Sequence, residues 1–290
     1  MGFRTIVIKS RAKLDLQLNY LVCRGESEQR VFLSEINTLI IQSTAVAITA
    51  ALLCEMVKRN IKVIFCDEKC SPHSELLPYY GCHNSSGRIK QQIEWDTNKK
   101  GDVWAAIIKR KIEMQAKNLL NRGFYEESEL LFDYSQEVCS HDITNREGHA
   151  AKVYFNKIFG DGFTRHQRIA LNGYLNYGYA IIMSAFNREI VAQGHLTQIG
   201  IWHKNEFNDF NLSCDLMEPF RPIVDDLADS LEDNDKNFKL KMVDVLNKKT
   251  VIKKQTTTLD NAIKIYTRSV LNALSTGKTA LINFVEKYEL

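Results

Sequence analysis

The chain has 290 residues, 44% of them hydrophobic and 25% charged, with 14 Gly and 4 Pro. That length can bury two sizeable cores, and the composition excludes collagen-like and extensively disordered chains. The formal net charge of +3 is too small to announce nucleic acid, so electrostatic partners must be read from where the charges sit.

The first third reads as β-rich. Thr5–Ile8, Lys13–Leu18, Arg30–Leu33 and Thr38–Ile41 are short apolar or alternating runs of the strand type. The opening Met-Gly-Phe-Arg-Thr-Ile-Val-Ile fits the first strand and lacks the pattern of a secretory signal. The cysteines at 23, 54, 66, 70, 82, 139 and 214 are odd in number and irregular in spacing, which predicts reduced thiols and a cytoplasmic setting. Ile36–Cys54 carries no charge and is long enough to span a bilayer. Asn37, Thr38, Gln42, Ser43, Thr44 and Thr49 interrupt it, and a strand followed by a capped helix explains it better. Thr44 is placed to cap a helix over Ala45–Lys58, and Asn60 to close it in the left-handed conformation. Lys62–Cys66 is the next expected strand.

Residues 71–87 carry the Pro, Ser, Asn and Gly of turns. Beyond them the apolar spacing is helical over Arg88–Trp95, Val103–Leu120, Tyr125–Val138, Asn145–Phe159, His166–Ala192, Asp215–Leu231 and Thr258–Leu274. The predicted fold class is α+β: a small N-terminal β-rich domain over 1–75, a linker over 76–87, and a larger all-α domain over 88–290. No internal repeat and no low-complexity segment interrupts this plan.

Charge is unevenly spread in the last quarter. Asp225–Asp235 holds six acids and no base, whereas Lys236–Lys254 holds seven lysines and one acid. Both runs fit solvated faces, and the second also fits an edge that tracks phosphates. Lys248 and Lys249 within it, Lys109-Arg110-Lys111, and Arg165, His166 and Arg168 at the start of the long helix are the candidate nucleic-acid contacts.

The densest chemistry lies in Ser213–Asp226, which packs four carboxylates, Arg221 and two prolines into one short stretch. Asp215 and Glu218, three apart, share a helix face. Pro219 and Pro222 each remove a backbone donor at a cost of about 3 kcal/mol in a helix interior, so the helix is expected to bend there. Glu147 heads a helix whose core stripe continues through Ala150, Ala151, Tyr154 and Ile158; on position alone it reads first as a first-turn acid favoured by the helix dipole. His203, in Gly200-Ile-Trp-His-Lys-Asn-Glu206, reads by itself first as a hydrogen-bonded structural histidine. Together these acids and one imidazole form an oxygen-rich set that suits Mg²⁺ or Mn²⁺ better than zinc.

Other motifs carry less. Cys66, Cys70, Cys82 and His83 fit no usual zinc spacing. Ser275-Thr-Gly-Lys-Thr279 has the tail of a phosphate-binding loop, but Asn272 stands where the upstream glycine is required and the segment follows a helix.

Four segments in order resemble the integrase of the CRISPR adaptation module, the first CRISPR-associated protein, in its type II form. They are Arg146-Glu-Gly-His-Ala-Ala-Lys-Val-Tyr-Phe155, Leu175-Asn-Tyr-Gly-Tyr-Ala180, Gly194-His-Leu-Thr-Gln-Ile-Gly-Ile-Trp-His203 and Asp215-Leu-Met-Glu-Pro-Phe-Arg-Pro222. The N-terminal strands and Val63–Glu68 fit the same family, so the resemblance spans nearly the whole chain. Many members have proline about where Thr197 stands. The resemblance implies that Glu147, His203 and Glu218 bind a divalent Mg²⁺ or Mn²⁺ and are catalytic, with Asp215 and Arg221 flanking the ion or contacting DNA. It further implies homodimers joined through N-terminal domains and a small ferredoxin-like partner that bridges two dimers into a heterohexamer. It implies double-stranded DNA as the substrate, both as a donor duplex and as the CRISPR repeat, and no membrane. In type II systems the effector nuclease and a ring-forming accessory protein also take part. The implied reaction is transesterification, in which the 3′-hydroxyl of a short duplex attacks a phosphodiester at the edge of a repeat. Two other readings stand beside it: a branched-DNA nuclease acting in repair, with water as nucleophile, and a non-catalytic DNA-binding scaffold.

Overall fold

The computed structural model describes residues 2, 4–79, 82–167, 169–232 and 234–289. Two compact units divide the chain, Met1–Gly81 and Cys82–Leu290.

The first unit is built from β1 (Arg4–Ile8), β2 (Ala12–Gln17), β3 (Tyr20–Arg24), β4 (Glu28–Phe32), β5 (Ile36–Ile41), β6 (Val46–Ile48), α1 (Ala50–Lys58), β7 (Lys62–Cys66) and β8 (Pro72–Glu75). They form two sheets, in the orders β1-β5-β7-β8 and β4-β3-β2-β6. β5 lies between parallel partners β1 and β7, and every residue of it is buried, which is why its sequence is a continuous apolar run. β2 and β3 meet in a tight hairpin in which Leu18 and Asn19 both take positive φ, the geometry that matches strand twist. The core gathers Leu14, Leu21, Leu33, Leu39, Leu52, Met56 and Val63.

Local expectations fail here for identifiable reasons. The helix predicted from Ala45 begins only at Ala50, and Thr44 does not cap it. Val46-Ala47-Ile48 pairs instead in parallel with Ala12-Lys13-Leu14, because β-branched residues beside a free strand edge gain more from the ladder than from one more helical turn. Asn60 does close α1, at φ 56°, with the amide of Ile61 donating to the carbonyl of Met56. β8 lies inside the turn-rich segment, with Pro72 at the start of an edge strand where its missing N–H does no harm.

The second unit holds α2 (Ser85–Ile93), α3 (Thr97–Asn121), α4 (Tyr125–Gln136), α5 (Arg146–Phe159), α6 (Ala170–Ala192), α7 (Asn211–Met217), α8 (Arg221–Asp229), α9 (Phe238–Asp244), β9 (Lys249–Ile252), β10 (Gln255–Thr258), α10 (Leu259–Thr276) and β11 (Val285–Tyr288). It is mostly helical, but the all-α expectation is corrected by the sheet β10-β9-β11. The hairpin β9–β10 turns on Lys253 and Lys254, both at positive φ. Neither is a residue that signals such a turn, so the lysine run hid it. Among the described residues no helix is long and apolar enough to cross a membrane.

α3 is the central strut. Its buried stripe runs Trp104, Ile107, Ile108, Lys111, Ile112, Gln115, Asn118 and Leu119, a helical spacing with three polar residues on the apolar face. Asn118 shows why polarity is tolerated there. Its Nδ2 donates to the carbonyl of Pro222 at 2.8 Å and to Tyr154 Oη at 3.1 Å, and its Oδ1 accepts from Tyr288 Oη at 2.5 Å. One side chain thus ties α3 to α5, α8 and β11. Replacing Asn118 by Leu takes this donor from the Pro222 carbonyl and Tyr154 Oη, while Tyr288 Oη keeps Asp226 at 3.1 Å, and each buried orphan costs about 1–3 kcal/mol. The expected outcome is a urea midpoint lowered by the equivalent of roughly 2–4 kcal/mol with an unchanged m value.

Candidate active site

Glu147 is fixed by the way α5 begins. The Asp142 carboxylate accepts the amides of Arg146 (2.9 Å) and Glu147 (3.0 Å), satisfying donors that have no partner inside the helix. Asn145 enters the helix at φ 52°. Ala150 and Tyr154 then bury the same face, so Glu147 stands at the rim of the core.

Glu218 is fixed by a break. α7 ends at Met217, Glu218-Pro219-Phe220 forms a 3-10 turn, and α8 starts at Arg221. Pro219 has no N–H to return to the Asp215 carbonyl, so the expected irregularity takes the form of a tightened turn. Pro222 falls in the first turn of α8, where a missing donor is harmless. The break leaves Glu218 only 3% exposed. Arg221 Nε lies 2.8 Å from its Oε1 and Lys111 Nζ 2.5 Å from its Oε2. Burial pushes this carboxyl up, but Arg221 and Lys111 outweigh it and hold it at about 2.

Lys111 joins the two acids, because its Nζ is also 2.6 Å from Glu147 Oε1. Although burial disfavours its charge, Glu218 and Glu147 together raise its pKa above the ordinary lysine value.

His203 is placed by Asp215, which is fully buried. Asp215 Oδ2 accepts the amides of Ile201 (2.5 Å) and Trp202 (3.0 Å), and Oδ1 accepts the amide of His203 (3.1 Å). Oδ1 also lies 2.6 Å from His203 Nδ1. One carboxylate therefore folds the loop and orients the ring. Gly200 is required by this closeness, since a Cβ there would sit 2.7 Å from Asp215 Oδ2 and 2.5 Å from the His203 carbonyl. The rest of the loop is pinned by Gln92, which bonds Leu196 and the carbonyl of Ile199, and by Asn211, which donates to the carbonyls of Gln198 and Asn205. Thr197 is buried, and its carbonyl accepts the amide of Leu212 at 2.8 Å. The hydrogen bond to Asp215 raises the His203 pKa; burial opposes this, and the charges of Asp215, Glu218 and Glu147 add to it. The imidazole edge meets Trp104, whose indole stacks on the half-exposed Trp202 at 5.6 Å.

A second layer surrounds Tyr179. Arg221 Cζ lies 4.7 Å and Arg165 Cζ 5.2 Å from its ring centroid, and its hydroxyl donates to Asp225. Asp225 is 1% exposed, which corrects the expectation of a solvated face. Burial pushes its carboxyl up to about 7, against the Tyr179 bond and the charges of Arg221, Lys111 and Arg165. Asp226, by contrast, pairs with Arg122 at 2.5 Å.

The structure thus gathers Glu147, Glu218, Asp215, His203 and Arg221, with Arg165 one ring away. Lys248 lies elsewhere, 3.6 Å from Asp244, and Lys249 opens β9. Arg168 lies outside the described residues. Lys111 is corrected from a surface DNA contact to a buried partner of both glutamates. Its neighbours in the basic triplet point to other partners, Lys109 to Gln136 and Arg110 to Glu113. Sequence reading also missed Asp142, Trp104 and Gln92. A lysine on the Trp104–Leu119 apolar stripe was the available signal.

Among the described residues, no three His, Cys, Asp or Glu side chains converge on a single ion-binding point. The gap between the two glutamates is filled by the Lys111 ammonium. The donor chemistry still fits a hard divalent cation. It offers two carboxylates, one of them buried and held charged, and an imidazole whose Nδ1 is held by a carboxylate so that Nε2 is left for a ligand.

A family model described as "CRISPR associated protein Cas1" matches residues 5–259. A CRISPR-associated endonuclease Cas1 of Neisseria meningitidis serogroup C (strain 8013) is 34% identical over 226 residues, which is 78% of this chain and 74% of the relative. Among solved structures, a casposase bound to integration product superposes with TM-score 0.76 at 19% identity, covering 96% of this chain and 92% of that one. A Cas6-RT-Cas1–Cas2 complex gives TM-score 0.72 at 15% identity, covering 97% of this chain and 36% of that one. At these identities the structural likeness speaks to the fold.

Two outcomes check this geometry. Asp215→Ala leaves buried backbone donors without an acceptor and should lower stability by roughly 2–4 kcal/mol, read by chemical denaturation. Asp225 has a folded pKa of about 7, above its unfolded value near 4. Its favourable contribution is therefore complete below about pH 4 and lost as pH rises through 7. Asp225→Asn keeps an acceptor for Tyr179 and removes the charge. It should gain stability over the parent by up to about 1.4 kcal/mol per pH unit across that window. Parallel pH curves for the two proteins would refute the assignment.

Proposed function

The chain belongs to the Cas1 family of CRISPR-associated proteins, and on that premise we propose that it is a metal-dependent DNA integrase and endonuclease that inserts short foreign DNA into a CRISPR array. The observation that carries this reading is the pairing of the buried, charged Glu218 with Glu147 beside an imidazole held through Nδ1 by Asp215. In this reading Glu147, His203 Nε2 and Glu218 hold Mg²⁺ or Mn²⁺. Such an ion, when bound, polarises the phosphoryl oxygen and stabilises the leaving oxygen.

The chain's own residues supply the rest. Asp215 keeps the proton of His203 on Nδ1 and stiffens the ring. Arg221, packed on Tyr179, fixes the Glu218 carboxylate. The half-exposed Trp202 offers a π-face against which a base can stack. In the reaction the donor 3′-hydroxyl gives up its proton as its oxygen bonds to phosphorus, the bond from phosphorus to the target 3′-oxygen breaks, and the released 3′-oxygen takes up a proton. One phosphodiester replaces another, so no nucleotide triphosphate is needed. With water as nucleophile the same centre cuts DNA, which is the endonuclease activity in the relative's name.

The remaining roles follow from the family. The first unit serves as a homodimer contact, and a small ferredoxin-like partner of the Cas2 kind joins two dimers into a heterohexamer in the prokaryotic cytoplasm. A solved complex in which Cas1 and Cas2 occur together supports the partner. The type II assignment, with its effector nuclease and ring-forming protein, rests on the four sequence segments. Lys248 and Lys249 remain candidates for contacts with the duplex away from the ligand set.

The test uses Mn²⁺, a labelled donor duplex and a supercoiled plasmid carrying the repeat. Glu147→Ala, His203→Ala and Glu218→Ala should each lower covalent joining of donor to plasmid by about a hundredfold or more. Undiminished joining in any of them removes that residue from the centre. Nicking without joining by the parent protein would favour the nuclease reading.

A further inference from the structure

The gap between Glu147 and Glu218 is already bridged by a cation that belongs to the chain. Lys111 Nζ donates to Glu147 Oε1 at 2.6 Å and lies at ion-pair distance, 2.5 Å, from Glu218 Oε2. The residue is 8% exposed and sits on the core stripe of α3, so the bridge is enclosed. Arg221 supplies a second cation, at 2.8 Å from Glu218 Oε1. Two carboxylates thus face two cations. A divalent ion entering the same gap would meet an ammonium in the place where it must bind, in a setting where like charges repel strongly.

The two cations are not equivalent. Arg221 is clamped by the Tyr179 ring behind it. Lys111 ends in a compact ammonium on a flexible four-carbon stem, which can leave its partners when a better anion arrives. A DNA phosphate at this site is such an anion.

We propose that Lys111 is an internal counter-ion that occupies the carboxylate gap in the free protein and withdraws to a DNA phosphate on binding, so that metal loading is coupled to the presence of nucleic acid. The inference rests on the reading of Glu147, His203 and Glu218 as metal ligands. It makes the free protein a poor metal binder and therefore a poor unspecific nuclease. A merely structural ion pair would behave differently: its loss would weaken the fold and leave metal affinity unchanged or lower.

Calorimetric titration of MnCl₂ into the full chain tests this, with and without a short DNA duplex. For the parent protein the duplex should tighten Mn²⁺ binding about tenfold or more. Lys111→Met should bind Mn²⁺ without DNA about tenfold more tightly than the parent, and should respond little to the duplex. In EDTA it should melt below the parent, and Mn²⁺ should close that gap. Should the Met variant not fold, Lys111→Gln keeps a hydrogen-bond donor between the carboxylates and carries the same comparison. Equal or weaker Mn²⁺ affinity in the folded variant overturns the role of Lys111 and leaves the metal reading standing. A parent protein that binds no Mn²⁺ in either condition removes the metal reading itself.

Discussion

The second unit is organised around the need to neutralise a carboxylate that has been taken out of water. Glu218 is nearly inaccessible and must be charged to serve as a ligand or an ion partner. An isolated buried charge costs several kcal/mol, so cations have to be delivered to it by the surrounding helices. α8 delivers Arg221 and α3 delivers Lys111. Lys111 in turn fixes how close α5 can bring Glu147. Well-packed apolar residues could fill the same space with equal or greater stability.

The loop that carries His203 obeys the same logic with different partners. Asp215 is saturated by backbone amides and an imidazole, so its charge is spread over a loop and a ring. Asp215 and Glu218 are neighbours in sequence yet do different work: one builds the loop, the other faces the gap. The 3-10 turn at Pro219 makes this division possible by changing the helix geometry between them. The family's frequent proline near Thr197 is replaced here without loss of anchoring, because the Thr197 carbonyl and the Gln92 amide hold that stretch.

Much of this was legible in the sequence where one local rule dominated. The strands at Thr5, Thr38 and Lys62, the left-handed Asn60 and the helices over 103–120 and 145–159 follow from periodicity and cap chemistry. Glu147, His203, Asp215 and Glu218 could be named from ligand chemistry and resemblance; the fold joins Glu147 to Glu218 through Lys111 and His203 to Asp215. What escaped depends on tertiary partners. Val46–Ile48 became a strand because a free edge lay beside it. Asp225 looked like one acid in a solvated run and is buried because Tyr179 reaches it. Lys111 looked like part of a basic triplet, and only its position on the apolar stripe hinted otherwise. Charge counts along a chain do not say which charges will meet.

The bond between Tyr288 and Asn118 links positions 170 apart in sequence. Contacts of that span form only after the entropy of closing a very long loop has been met, and they slow folding more than they add to equilibrium stability. Asn118 is the residue through which α3, α5, α8 and β11 are joined, so the unit is not complete until its most distant segment has docked. The bonds of Asn118 to Tyr154 and to the Pro222 carbonyl do not need that segment, so α3, α5 and α8 share their anchor before β11 closes on it. β11 thereby ties the far end of the sequence to the same helix that carries Lys111.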